Sequence, residues 1–170
     1  MPTPNIDEDL RTMLPRLRRF ALWLVRDSHA ADDLVQSTIE RALSRWKTRR
    51  EEDSLRAWLF SILYRLFLDG KRRASRYALL LGSLAEEEPT WPSAERVAMA
   101  HSTLTAFAAL PPEQRSLLIW ISVEGLSYKE VADILDVPIG TVMSRLSRAR
   151  RALRQLGEGD PQSPSLRLLK

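Results

Sequence analysis

Apolar side chains recur at three- and four-residue steps along most of this chain, the spacing of one face of an α-helix. Leu10, Leu14, Leu17, Phe20, Ala21 and Leu24 predict a helix from about Asp9 to Arg26. Pro15 falls inside it, and either kinks the helix or marks where its regular part begins. Asp27-Ser28-His29 is a break, with Asp27 or Ser28 as the cap of a second helix from about Ala30 to Trp46. Ala31, Leu34, Val35, Thr38, Ala42 and Leu43 supply its inward face. A charged connection, 47–53, leads to Ser54. Beyond it Leu55, Trp58, Leu59, Ile62, Leu63, Leu66 and Phe67 predict a strongly apolar third helix.

From about Gly82 to Ser93 the composition changes to Gly, Pro, Ser and Glu, the mark of a domain boundary. Trp91, inside that stretch, either docks or hangs free. A helix over 94–110 follows, carrying Val97, Ala98, Leu104, Phe107 and Ala108. Pro111-Pro112 stops it and starts another, with Pro112 near the first helical position and Leu117, Leu118, Trp120 and Ile121 as the apolar side. The last pair of helices is the most sharply written. Ser127 caps the first, and Glu130 three residues on completes a capping box. Val131, Ala132, Ile134 and Leu135 give it an apolar face. Asp136 ends it, because Asp tolerates the left-handed turn conformation, and Pro138 keeps Val137 out of helix. Thr141 or Gly140 opens the second helix. Val142, Leu146, Ala149 and Leu153 fall on one side of it, and Thr141, Ser144, Arg145, Arg148 and Ala152 on roughly the other, flanked by Arg150, Arg151 and Arg154.

That sorting is what a DNA-recognition helix requires. Arg reads guanine edges bidentately in the major groove, and flanking cations hold phosphates. A solvated basic face on a helical hairpin is the plainer alternative, and the capping, turn and face segregation favour DNA.

Composition narrows the class further. The chain has 170 residues, 44% hydrophobic and 28% charged, the balance of a soluble globular protein. Net charge is only +4, but the basic residues cluster at 45–50, 71–76 and 145–154, with Glu86-Glu87-Glu88 between. Separate positive patches suit an extended polyanion touched more than once. There is no cysteine and only His29 and His101, so neither disulfides nor an ordinary metal site are expected. No cofactor is implied. No apolar run approaches a membrane span, and the N-terminus lacks the regions of a signal peptide, so a soluble cytoplasmic protein is expected. No strand signal, phosphate loop or catalytic constellation appears, which leaves an enzyme reading without residues. An all-α protein of two small helical domains joined by a flexible linker is predicted.

Two other segments carry candidate chemistry. The outer face of the second helix displays Asp32, Asp33, Gln36, Glu40 and Arg41. The acidic first turn complements the helix dipole, so a solvated structural face explains these residues as readily as an interface does. The third helix turns basic at its end, with Arg65, Lys71, Arg72, Arg73 and Arg76, and Trp58 and Tyr64 bring aromatic rings near that charge. Rings beside a positive groove suit single-stranded nucleic acid. For Trp58 itself a core position is the better reading.

Residues 27–42, DSHAADDLVQSTIERA, resemble the polymerase-binding helix of bacterial σ factors. Leu110–Arg115 with Tyr128–Leu135 and Gly140–Leu146 resembles their C-terminal promoter-binding domain, and Leu55–Phe60 stands where the family places its −10-reading helix. Order, spacing and length over about residues 9–155 resemble the extracytoplasmic-function (ECF, group IV) σ factors, which have only the σ2 and σ4 domains. The resemblance implies a σ2-like domain at 1–80, a linker at 81–95 and a σ4-like domain at 96–156; Gly157, Gly159, Pro161 and Pro164 themselves predict a disordered tail at 157–170, in which Leu166–Leu169 could dock. It implies that Asp32, Asp33, Gln36, Glu40 and Arg41 lie on the helix that grips the β′ clamp coiled coil of core RNA polymerase. Lys47, Thr48, Arg49 and Arg50 would lie in the loop that meets the flipped −10 base, and Arg65, Lys71, Arg72 and Arg73 would hold duplex edge and phosphates. Thr141, Ser144, Arg145, Arg148 and Arg151 would face the −35 element, and the σ4 domain would also contact the β flap.

The chain departs from the family pattern in places. Ser37 replaces the usual acidic residue, Ile39 a common aromatic, Tyr64-Arg65 a frequent Arg-Asn pair, and Asp136 the usual turn glycine. Members are typically held inactive by an anti-σ factor clamped across both domains, and such a partner is expected here. The competing readings are a stand-alone helix-turn-helix regulator, which would not need the first domain, and a σ-like decoy for an anti-σ protein, which would not need the arginines at 145–154.

Overall fold

A computed structural model describes residues 6–49, 54–80 and 101–158, the side chains of 101–103 and 158 excepted. Expectations for Arg50, Trp91, Val97, Ala98, the 81–95 linker and the tail beyond 158 lie outside the described residues. All regular structure among those described is helical. The chain divides into two units, Met1–Trp91 and Pro92–Lys170.

In the first unit α1 (Ile6–Val25), α2 (Ser28–Arg45) and α3 (Leu55–Leu80) pack mutually. α1 buries Leu10, Met13, Leu17, Phe20, Ala21 and Leu24. The stripe therefore centres on Leu17, and Leu14 is left exposed at its edge. The helix begins before the expected Asp9 and runs through Pro15, which faces solvent, where water can take the carbonyl its missing N–H leaves unpaired. Arg26 at φ 59° breaks the chain direction, and the Asp27 carboxylate then accepts the Ala30 N–H at 2.7 Å as the N-cap of α2.

α2 buries only Ala31, Val35, Thr38 and Ala42. These are mostly small side chains, and through them α2 packs against both α1 and α3. Thr38 is fully buried, and its hydroxyl donates to the Leu34 carbonyl at 2.7 Å. Leu43, expected to point inward, is half exposed, because it falls about a third of a turn off that strip. From α3, Leu59, Phe60, Ile62, Leu63, Tyr64 and Phe67 complete the core. Phe20 meets Phe60 edge to face at 5.1 Å.

In the second unit α4 (His101–Ala109), α5 (Pro112–Leu118) and α6 (Tyr128–Leu135) all pack on α7 (Ile139–Glu158). Leu104 of α4 is exposed, and Ala106 and Ala108 take the buried positions. The Arg115 guanidinium is buried and donates to the carbonyls of Ala108 and Leu110, at 2.9 and 2.5 Å. It thereby satisfies carbonyls at the end of α4 and fixes the turn through the two prolines. α5 continues as a π-helical turn, Ile119–Val123, which places Trp120 wholly inside. Gly125 at φ 65° reverses the chain, a conformation glycine adopts without strain.

The capping box forms as expected. The Ser127 hydroxyl accepts the Glu130 N–H at 3.2 Å, and Glu130 accepts the Ser127 N–H at 2.7 Å. Asp136 closes α6 in the left-handed conformation, φ 54°, ψ 51°. The second helix starts at Ile139, earlier than either expected opener, with the Pro138 carbonyl accepting the Thr141 and Val142 N–H groups.

Candidate polymerase and promoter surfaces

Asp32, Asp33, Gln36, Glu40 and Arg41 fall off the buried strip of α2 and are all exposed. Part of that face is tied down from within. Arg18 of α1 donates from Nε and Nη2 to the two Asp32 oxygens, at 2.6 and 3.3 Å. That hydrogen-bonded pair, aided by its Coulomb attraction, holds the Asp32 carboxyl below the usual range and raises the Arg18 guanidinium. One turn on, the Gln36 amide donates to Glu40 at 3.0 Å. Sequence periodicity had no means of showing the Arg18 partnership, which crosses between helices.

The junction after α2 is a 3₁₀ turn, Trp46–Thr48, in which the Thr48 hydroxyl donates to the Arg45 carbonyl at 2.8 Å. Lys47 and Thr48 are exposed. The Arg49 guanidinium lies over the Trp46 ring, 5.4 Å from its centre. Trp46 in turn meets Trp58 edge to face at 5.9 Å. The aromatic reading changes accordingly. Tyr64 is buried against Phe67 and presents no ring to a ligand, and Trp58 is half-buried rather than fully inside. Trp46 is the ring that accompanies the basic turn.

Along α3, Arg65, Lys71, Arg72 and Arg73 are exposed. Arg65, Arg72 and Arg76 share one face by helical phase, a mainly cationic row roughly 16 Å long at 1.5 Å per residue, in which Asp69 lies 3.8 Å from the Arg72 guanidinium. Arg76, absent from the residues given a role by resemblance, donates from Nε to the Arg72 carbonyl at 3.3 Å. Its four-residue step from Arg72 was the sequence signal.

On α7, Val142, Leu146 and Ala149 are buried. Ser144, Arg148 and Arg151 are exposed, whereas Thr141 and Arg145 are half-buried at the margin of the packed face. The Ser144 hydroxyl donates to the Thr141 carbonyl at 3.0 Å. The outward face is therefore centred on Ser144, Ser147, Arg148 and Arg151, with Met143 beside it. Ser147 and Met143 were missed, although a helical projection puts both well away from Val142. No group of His, Cys, Asp and Glu able to hold a metal occurs among the described residues. No described helix is long and apolar enough to cross a membrane.

Residues 101–153 match the family model for σ-70 region 4, and residues 10–64 match that for the σ2 domain of PhyR. The chain is 35% identical to the ECF RNA polymerase sigma factor EcfG of Rhodopseudomonas palustris, over 91% of this chain and 86% of that protein. It is 33% identical to the ECF RNA polymerase sigma factor SigE of Mycolicibacterium smegmatis, over 89% of this chain and 61% of that longer one. Among solved structures it superposes on the sigma factor RpoE of Bartonella quintana, crystallised with the anti-sigma factor NepR, with TM-score 0.78 and 32% identity over 93% and 99% of the two chains. The chain belongs to the ECF RNA polymerase sigma factors. It acts as an alternative sigma factor, with core RNA polymerase and promoter DNA as its partners.

Proposed function

We propose a division of labour between a σ2-like domain at 1–80 and a σ4-like domain at 96–156, joined by a linker at 81–95 and followed by a tail at 157–170. Asp33, Gln36 and Arg41 of α2 bind the β′ clamp of core polymerase, and Arg18 sets the orientation of Asp32 beside them. Glu40 does the same for Gln36. Lys47, Thr48, Arg49 and Arg50 meet the unpaired −10 base, and Arg65, Lys71, Arg72 and Arg73 hold the adjoining phosphates. Ser144, Arg148 and Arg151, with Thr141 and Arg145 at the margin, read the −35 duplex, and the same domain touches the β flap. Binding energy gathered at both promoter elements holds the polymerase in place, and capture of an unpaired base favours the melted state. The protein works in the cytoplasm as a specificity adaptor without catalytic chemistry of its own.

The observation that carries this reading is the pairing, in one chain, of a capped helix-turn-helix with an outward arginine face and a separate three-helix unit bearing its own cationic row. A stand-alone regulator has no use for the second. Control by an anti-sigma factor is supported by the complex in which the Bartonella quintana relative was solved. The decoy reading is less well supported, since the PhyR structures, 18% and 17% identical, share the fold alone. Transcription reconstituted from this protein, core polymerase and a randomised promoter library tests the assignment. Enrichment of a two-part promoter is expected. Absence of specific initiation would overturn it.

A further inference from the structure

Helix α7 exposes apolar as well as charged side chains. Ile139 and Met143, one turn apart on adjoining positions, are 45% and 52% exposed. Neither serves the core, which Val142, Leu146 and Ala149 already fill. Met143 instead borders an open groove with Tyr128, Leu146, Ser147, Arg150 and Arg154. An apolar pair standing between the packed face and exposed arginines needs a ligand that is apolar at one point and anionic around it.

Duplex DNA has that chemistry. In the major groove the C5 methyl of thymine is the apolar group among the hydrogen-bonding base edges, and phosphates line both rims. The position fits too: the pair lies in the N-terminal half of α7, the part of a recognition helix that reaches base edges. Arg150 and Arg154, two and three turns further along, are placed for the rim. An acidic protein segment would satisfy the arginines, but the place of the pair in the N-terminal half of α7 favours base edges.

We propose that Met143, supported by Ile139, is a specificity-determining residue that contacts the C5 methyl of a thymine in the −35 duplex. The proposal rests on α7 being the −35 reader. It predicts a preference for thymine over any pyrimidine lacking the methyl, independent of the hydrogen bonds made by the arginines.

The test uses the reconstituted holoenzyme and promoter duplexes selected from a randomised −35 library. Each thymine of either strand is replaced singly by deoxyuridine, which removes the methyl and keeps every hydrogen-bonding group. At one position or two adjacent ones, affinity is expected to fall about fourfold, the weight of one buried methyl group. Met143→Ala should bind both forms equally, and Met143→Leu should keep the preference. Uniform tolerance of deoxyuridine, or a preference unchanged in Met143→Ala, would overturn the proposal. If Arg148→Ala still removes −35 dependence in that case, α7 remains the reader and only the methyl contact is lost. If Arg148→Ala has no effect either, the underlying assignment has failed. Loss of anti-sigma binding in Met143→Ala with thymine preference intact would make the stripe a protein contact, and that too overturns it.

Discussion

Helices α2 and α7 each turn a polar face outward, and they hold those faces by different means. α2 packs through Ala31, Val35, Thr38 and Ala42, and its outer groups are partly cross-linked, Asp32 by Arg18 and Gln36 by Glu40. Such a face presents fixed acceptors and donors, which lowers the entropy lost when another protein docks. α7 packs through Val142, Leu146 and Ala149, and its Arg148 and Arg151 extend into solvent. Long exposed guanidinium side chains lose more freedom on binding but adapt to phosphates and guanine edges. A preset face suits one constant partner; an adaptable one suits DNA, whose local shape varies with sequence.

The strongest way to break this comparison is to remove the support beneath α7 and leave α2 alone. Trp120→Ala should cost about 3–5 kcal/mol, as for other buried tryptophans. Hydrogen exchange is expected to speed up through α4–α7 while α1–α3 stays protected; equal loss in both would mean the units are not independently stable. Next, Arg148→Ala should lower promoter affinity by about 1–3 kcal/mol if it reads a base, with affinity for core polymerase unchanged. Equal loss of both would make α7 structural. The reciprocal change, Asp33→Ala with Gln36→Ala, should weaken core association while the free protein unfolds at the same urea concentration. Undiminished core affinity would remove the polymerase assignment from α2.

A smaller effect sharpens the contrast on the DNA side. Arg72→Ala should weaken promoter binding alike for all sequences and reduce the salt dependence of log K by about one. A sequence-dependent loss would make α3 a base reader. The smallest effect concerns Arg18→Ala, which should let the Asp32 carboxyl rise back toward the ordinary range in a carbon-detected titration. The sign follows from the lowered folded value: the pair stabilises the protein above the unfolded carboxyl's titration and loses that contribution as pH falls through the folded one. An unmoved Asp32 would mean the pair is not formed in solution.

The local devices were legible because each is written in neighbouring residues. Ser127 and Glu130 name a capping box, Asp136 and Pro138 a turn, and Asp27 or Ser28 a cap, of which the structure uses Asp27, since the partners lie within three or four positions. The apolar stripes were legible to within about a third of a turn, and the errors share one cause. Leu14, Leu43 and Leu104 are apolar enough to join a stripe, but whether a residue at its edge is covered depends on how close the next helix comes. Tyr64 was misplaced in the other direction, because a ring beside a basic run looks accessible until Phe67 is seen against it.

The sequence by itself determined that the chain is helical, where most helices break, and that one of them is a basic recognition helix behind a capped partner. Periodicity, capping and turn chemistry act over a few residues, so they can be read without a fold. Only the tertiary structure decided which charges are engaged and which rings are presented: Arg18 reaching Asp32, Arg49 lying over Trp46, Arg115 turned inward to the carbonyls at the end of α4, Tyr64 closed into the core. Arg18 and Asp32 stand on different helices, and even the short-range contacts of Arg49 and Arg115 need a turn whose geometry is set by side-chain volumes across the whole core.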